Sequence, residues 1–457
     1  MDRLSILDDL FVVLERDNLP MHIGSLLIFD GPPPAYEDLL AHVAVRLDQL
    51  PRYRQVIREV PLSLGIPTWQ DDVHFNLEYH VRHTALPRPG DREQLRALAG
   101  RQLSHRLDMR RPLWEMWLIE GLRGGQFAIL NKVHHAMVDG LSGSDIMEKL
   151  LDPSPDVGAA APSVWEPAQP PSTATVLAGA VVDTARIGLG RLGHLAADLS
   201  SPRDAVNKAA AAVVGTLRIG ETLAHTEDHL LGQPGPHRRW AWANGDLGAV
   251  KHIKERLGGT VNDVILTAIT NGYREFLLGR EPDLPEAAFV RTMVPVSTRP
   301  AGAPKGGNEV AVMFADMPVG LADPIARFGS IREQMKHAKR SGTVEGMDSL
   351  IENAVFLPPA LYAAAGRLAA RTPQPAVSTI TTNVPGPQRQ LYMLGRPMRQ
   401  MLGYVPLGMN QLVTVAILSY NGQISCSITA DYDQVPDVGV LAGGIESGLA
   451  ELTELAG

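Results

Sequence analysis

His134-His135-Ala136-Met137-Val138-Asp139-Gly140 follows directly on an apolar run, Phe127 to Val133. Such a run reads as a buried strand that ends at a turn. On a strand, neighbouring side chains point to opposite faces. Phe127, Ile129, Asn131, Val133 and His135 therefore share one face, and Ala128, Leu130, Lys132 and His134 the other. Two rings on opposite faces do not chelate one ion, and there is no HExxH pattern to suggest zinc. One histidine is expected to face a cavity while the other holds structure. Gly140 supplies freedom for a sharp turn. Asp139, four residues after His135, can steer the loop or bind an arginine elsewhere.

Chemistry has a use for an imidazole at a strand end. With a pKa near neutrality it can take the proton of a hydroxyl as that hydroxyl attacks a thioester. Such a base is worth roughly 10²–10⁴-fold in rate. No serine or cysteine nucleophile is then required, and the group passes directly from donor to acceptor. The structural alternative is that two histidines close a strand and Asp139 caps the next helix.

The surrounding chain alternates strands and helices, which predicts a mixed α/β layer. Leu4, Leu7, Phe11 and Leu14 recur at helical spacing with Ser5 near the start, and Pro20 is expected to end that helix. Ile23 to Phe29 reads as a strand, Tyr36 to Leu50 as a helix, and Phe75 to Arg82 as an alternating strand. Arg92 to Arg106 reads as a helix capped by Asp91. Trp114 to Gly121 and Gln126 to His135 read as strands joined at Gly124-Gly125, and Ser142 to Leu151 as a helix. Asp152 to Thr173 is rich in Pro, Ala and Ser, as a linker is. The Ala-rich stretch Ala178 to Leu231 predicts one or two connecting helices. Val261 to Leu278 predicts a helix opened by Thr260, with Asp263 in its first turn. Phe289 to Val296, Gln411 to Tyr420 and Ile424 to Ala430 predict strands, the last two joined by a turn at Asn421-Gly422. The expected layout is an N-terminal half (1–151), a linker with connector helices (152–232) and a C-terminal half (233–457).

Composition narrows the function classes. Of 457 residues, 45 % are hydrophobic and 20 % charged, a balance that supports a sizeable core and excludes a wholly disordered or fibrous chain. The net charge of -8 argues against a bulk basic surface for gripping nucleic acid. One cysteine, Cys426, allows neither an internal disulfide nor a cysteine zinc site. Neither an export signal nor an apolar run of membrane-spanning length is visible, so the expectation is a soluble or peripheral cytoplasmic protein.

HHAMVDG resembles the active-site motif of the HHxxxDG acyltransferases. These include chloramphenicol acetyltransferase-like enzymes, peptide-synthetase condensation domains and bacterial wax ester synthase/diacylglycerol acyltransferases. Other blocks resemble the last of these. They are LSILDDLFVVLERDNLPMHIGSLLIFDG with its Pro20–Gly24 step, Pro112-Leu113-Trp114, and GGTVNDVILTAI at Gly258 to Ile269. VPVSTR at Val294 to Arg299, Gly307-Asn308, TTNVPGP at Thr381 to Pro387 and Ser419 to Asp437 complete the series. The resemblance spans nearly the whole chain and is weakest at Asp152 to Leu231.

The resemblance implies two chloramphenicol acetyltransferase-like halves with a channel between them. It implies transfer of a fatty acyl group from acyl-CoA, as co-substrate, to diacylglycerol or a long-chain alcohol, with no metal or other cofactor. By it His135 is the general base, His134 a packing or backbone-bonding residue, Asp139 a structural support of the loop and Gly140 its turn. Asn262 either points its amide toward the channel or only seats its helix. Thr382 and Asn383 either border the CoA path or belong to a purely structural turn. Lys336, Lys339 and Arg340, or Arg238 and Arg239, are candidate partners of CoA phosphates, with a solvated face as the alternative.

Two rivals remain at this level: an ester-forming enzyme that takes acyl chains from a carrier protein, and a non-catalytic lipid-binding relative. The pattern Gly188-Leu-Gly190-Arg-Leu-Gly193 has no strand before it, which argues against a dinucleotide site. Gly140-Leu-Ser142-Gly-Ser144 lacks the last glycine of a nucleophile elbow, so Ser142 reads as a helix cap. Leu357 to Arg371, apolar with two arginines, is a candidate helix for attachment to a membrane or lipid-droplet surface, or else packs on the core.

Overall fold

The structure is a computed structural model and describes residues 2–61, 65–138, 148–156, 164–172, 174–179, 182, 230–297, 310–340 and 377–457. Its elements run β1 (Asp2–Arg3), α1 (Ile6–Leu14), β2 (His22–Phe29), α2 (Tyr36–Arg46), β3 (Gln55–Arg58), β4 (Thr68–Asp71), α3 (Leu77–His80), β5 (Val81–Ala85), α4 (Arg92–Ser104), β6 (Trp114–Leu122) and β7 (Gln126–His134). After the connector come β8 (Arg238–Asp246), α5 (Leu247–Leu257), α6 (Val261–Leu278), β9 (Val290–Ser297), β10 (Val310–Met317), α7 (Pro324–Arg340), β11 (Thr379–Pro385), β12 (Tyr392–Met393), β13 (Arg396–Tyr404), β14 (Val413–Tyr420), β15 (Gln423–Asp431) and α8 (Val438–Ala456).

Two six-stranded mixed sheets carry the molecule. One has the order β12-β13-β2-β7-β6-β5 and the other β10-β9-β11-β14-β15-β8, with a small sheet β1-β4-β3 beside them. In the first sheet β2, β7 and β6 are antiparallel, and β5 joins β6 in parallel. In the second, β11 lies parallel between β9 and β14. The first sheet borrows strands from the C-terminal half. β13, late in the chain, adds antiparallel to β2, from Met398 opposite Phe29 to Tyr404 opposite Gly24. Nothing local in 396–404 announces that partner.

Local chemistry explains many boundaries. Ser5 accepts the N–H of Asp8 and starts α1, which ends at Leu14, well before Pro20. Asp91 and Gln94 form a capping box at α4, and Thr260 and Asp263 form another at α6. Asn421 (φ 44°) and Gly422 (φ 81°) make the tight turn between β14 and β15. Two expectations need correction. Residues 77–80 form a short helix, with Asn76 accepting the N–H of Glu78, so the strand begins only at Val81. The second helix stops at Arg46 and passes into 3₁₀ turns over 47–49 and 51–54.

Each sheet has its own core. Val413, Val415, Ile417, Cys426 and Ile428 of the second sheet pack under α6 and α8. Cys426 is a buried core residue there. Leu27, Phe29, Phe127, Ile129, Trp114 and Met116 centre the core of the N-terminal half. A third cluster bridges the halves, with Leu95, Leu98 and Leu103 of α4 against Trp240 and Trp242 of β8 and Leu402 and Tyr404 of β13. Gly100 of α4 permits that approach, because a Cβ there would lie 2.8 Å from the carbonyl oxygen of Arg238. The bridging core ends at Leu103 and Tyr404, close to the end of β7 where the histidine pair sits.

Candidate active site

β7 ends at His134, and His135 opens a 3₁₀ turn, 135–137. The two rings part. His134 is fully buried, and its Nδ1 accepts the N–H of Ala136 at 3.1 Å. That acceptor role places the His134 proton on Nε2, which lies 3.8 Å from the Glu15 carboxylate. Burial pushes the His134 pKa down to about 3. Opposite it in the ladder stands His22, whose Nε2 donates to the Leu103 carbonyl at 3.0 Å.

His135 is half-buried. Its backbone N–H donates to the Met21 carbonyl at 2.9 Å, which ties the turn to the start of β2. Its ring stacks on Phe11 of α1, with centroids 3.8 Å apart and planes 22° from parallel. Nδ1 is enclosed without a hydrogen-bond partner among the described residues. Desolvation pushes its pKa down to about 4, opposed only in part by its own backbone carbonyl. The ring is therefore neutral at physiological pH and able to accept a proton.

The frame around the pair is polar and tightly held. Glu15 caps α1, accepts the Met21 N–H at 3.4 Å and meets Arg106 at 3.3 Å. Desolvation raises its pKa, and Arg106 opposes that rise. Lys132, on the His134 face of β7, is wholly buried. Its ammonium donates to the Gln102 and His105 carbonyls at 3.0 and 2.6 Å and lies 3.6 Å from Glu115. Sequence reasoning missed Phe11, Glu15 and Lys132 as parts of this site. Their only signal was the helical period of α1 and a lysine within an apolar strand.

Other candidates separate. Asn262, in the first turn of α6, accepts a hydrogen bond from the Asn383 amide at 3.3 Å. Both line a cavity of about 410 Å³ with Val261, Ile265, Val294 and Ile417. His135 is not among its walls. Thr382 alternates to the other face of β11 from Thr381 and Asn383, while Thr381 accepts the Thr292 hydroxyl at 2.8 Å. Asp139, Gly140, Ser142, Gly188 to Gly193 and Leu357 to Arg371 lie outside the described residues.

Of the basic candidates, Arg238 is buried and spends its guanidinium on the carbonyls of Gly235, His237 and Asn18. Arg239 lies over the Tyr432 ring, 4.0 Å from its centroid. Lys336 is exposed beside Glu333 at 3.6 Å, and nothing is described of the Lys339 and Arg340 side chains. Among the described residues no helix is long and apolar enough to cross a membrane.

Comparison with known proteins identifies the family. Residues 4–265 match the wax ester synthase/diacylglycerol acyltransferase catalytic domain, and residues 306–453 match the C-terminal domain of the same family. A probable diacylglycerol O-acyltransferase of Mycobacterium tuberculosis is 34 % identical, covering 100 % of this chain and 96 % of that protein. The wax ester synthase/diacylglycerol acyltransferase of Marinobacter aquaeolei has the same fold, with a TM-score of 0.70 at 26 % identity over 100 % of both chains. The first condensation domain of the calcium-dependent antibiotic synthetase shares the fold more distantly, with a TM-score of 0.57 at 15 % identity over 99 % of this chain and 95 % of that one. With both domains of the family matched in order along the chain, and a relative of the same family 34 % identical over this chain's whole length, the chain is an acyltransferase that belongs to the wax ester synthase/diacylglycerol acyltransferase family.

Proposed function

We propose that this acyltransferase moves a fatty acyl group from acyl-CoA to the free hydroxyl of diacylglycerol, giving triacylglycerol, and to long-chain alcohols, giving wax esters. Diacylglycerol is the nominal acceptor. The mycobacterial relative is named for that reaction, and the Marinobacter enzyme carries both activities in its name. The observation that carries the reading is the His135 ring: neutral, half-buried at a strand end, and stacked on Phe11 with Nδ1 enclosed.

The acceptor hydroxyl gives its proton to Nε2 of His135 as its oxygen bonds to the thioester carbon. A tetrahedral anion and an imidazolium form together, and their opposite charges attract strongly in a site that excludes water. The C–S bond then breaks. The imidazolium returns its proton to the departing thiolate, so the products are ester and free CoA and the enzyme is unchanged. No covalent acyl-enzyme is needed, and acyl-CoA is consumed as a co-substrate without a metal or other cofactor. Asp139 and Gly140 support the loop that follows, and Asn262, Thr382 and Asn383 remain candidates for the substrate path. Because the acceptors are held in lipid, the protein works at a membrane or droplet surface without crossing it. Flotation with liposomes tests that attachment.

The deciding experiment is thiol release from palmitoyl-CoA against a panel of diacylglycerols and alcohols, with an acyl-carrier thioester as a second donor. Release that depends on diacylglycerol or long-chain alcohol supports the reading. Release only from the carrier thioester, or none from either donor, overturns it.

A further inference from the structure

We propose that Phe11 is a positioning residue for His135: its ring fixes the plane of the imidazole and keeps water from that face. The inference rests on the reading of His135 as the base.

The geometry singles Phe11 out from its own helix. Val12, its neighbour, packs against the N-terminal core, whereas Phe11 is half-buried and is not part of that core. Its ring lies instead on His135, at 3.8 Å and 22°. An aromatic pair in this arrangement gains stacking energy beyond plain burial. The backbone of His135 is already held by the Met21 carbonyl and the turn closed from Val138. Rotation of the imidazole about its side-chain bonds is a separate motion, and a stacked ring opposes it. Displacing a reacting group by about 1 Å costs on the order of 10²-fold in rate, so control of that torsion bears directly on transfer.

Charged and titratable groups on the packed elements are accounted for separately. On α1, Asp8 accepts the Ser5 hydroxyl at 2.6 Å, and Asp9 has its pKa raised to about 6 by burial and then by Glu59. Glu15 faces Arg106 and His134. His22 on β2 bonds Leu103, and Lys132 on β7 bonds the end of α4. Phe11 is the neighbour shown to cover the His135 ring face.

The test compares Phe11→Tyr, Phe11→Leu and Phe11→Ala, each checked for a native thermal transition, in palmitoyl-CoA thiol release. Phe11→Tyr keeps the stacked ring and is expected to retain kcat. Phe11→Leu keeps apolar cover but loses the plane, and its kcat is expected to fall about 10- to 100-fold with KM for palmitoyl-CoA little changed. Phe11→Ala also admits water, so the acid limb of its kcat profile moves up from about 4 toward the ordinary histidine range. The profile is read in an Asp9→Asn background, because Asp9 itself titrates near that window. Unchanged kcat in Phe11→Leu, an equal fall in Phe11→Tyr, or a fixed acid limb in Phe11→Ala overturns the inference. His135→Ala is run alongside. If it keeps full transfer, the general-base reading fails. If it loses transfer while Phe11→Leu does not, only the role of Phe11 fails.

Discussion

The imidazole of His134 and the carboxylate of Glu15 face each other across 3.8 Å, with side chains 0 % and 1 % exposed. The same His134 ring accepts the Ala136 N–H through Nδ1, so the residue next to the proposed base is buried and tied to the turn's own backbone. This division of labour predicts different outcomes for the two histidines. His135→Ala is expected to lower thiol release about 10²–10⁴-fold while leaving the melting temperature nearly unchanged. His134→Ala is expected to keep more activity but to lose about 1–3 kcal/mol of stability, because it frees a buried N–H. Parallel thiol-release assays and thermal melts on both variants separate the two effects.

Mild acid should destabilise the fold through its buried histidines. Burial lowers the pKa of His134 to about 3 and those of His135 and His80 to about 4, against an ordinary value of 6.5. Between about 4 and 6.5 the unfolded chain binds protons at these rings and the native chain does not. Stability therefore rises with pH in that window, and it is lost as pH falls through it. Asp9, raised to about 6, works in the opposite sense and offsets part of the loss. The urea midpoint is expected to drop from pH 7.5 to pH 5, and a midpoint that holds steady or rises would contradict these environments.

Local signals made much of this fold legible. Thr260 and Asp263 mark the start of α6 in plain sequence, and their capping box is there. Asn421-Gly422 marks a hairpin, and both residues take the positive φ such a turn demands. The histidine pair was legible as the end of an apolar strand. Residues 77–80 were not, because alternation over so short a stretch does not separate a strand from a capped helical turn. The pairing of β13 with β2 was invisible for a different reason. It is set by which sheet edge lies open in three dimensions, and 396–404 carries no local record of an edge hundreds of residues earlier. The Phe11–His135 stack shares that character: helical spacing places Phe11 on a face of α1, but the partner of that face is a matter of packing.

Lys132 offers a sharp stability test. Its buried ammonium closes the end of α4 through the Gln102 and His105 carbonyls, and burial lowers its pKa to about 8. Lys132→Met keeps the apolar stem but leaves those carbonyls without their donor. Glu115 retains Arg82 at 3.1 Å, so the carboxylate is not stranded. The expected cost is about 2–4 kcal/mol, read from urea unfolding. A neutral result would mean that water or another donor takes over the helix end.

Two adjacent glycines of α8 should respond to alanine with opposite signs. A Cβ on Gly444 would lie 2.8 Å from the Cα of Gly272, where α8 crosses α6 with no room between the backbones. Gly272 meets the same limit from the other side, where a Cβ would lie 2.7 Å from the Ile445 side chain. Gly444→Ala must therefore push the helices apart, at a cost of about 1–3 kcal/mol that exceeds the gain in helix propensity. Gly443, one residue earlier, is exposed to solvent, and a Cβ there would meet nothing within 4 Å. Gly443→Ala is expected to stabilise the protein by up to about 1 kcal/mol, because only propensity acts there. Thermal melts of the two variants would share a sign only if α6 and α8 cross somewhere other than at Gly272 and Gly444.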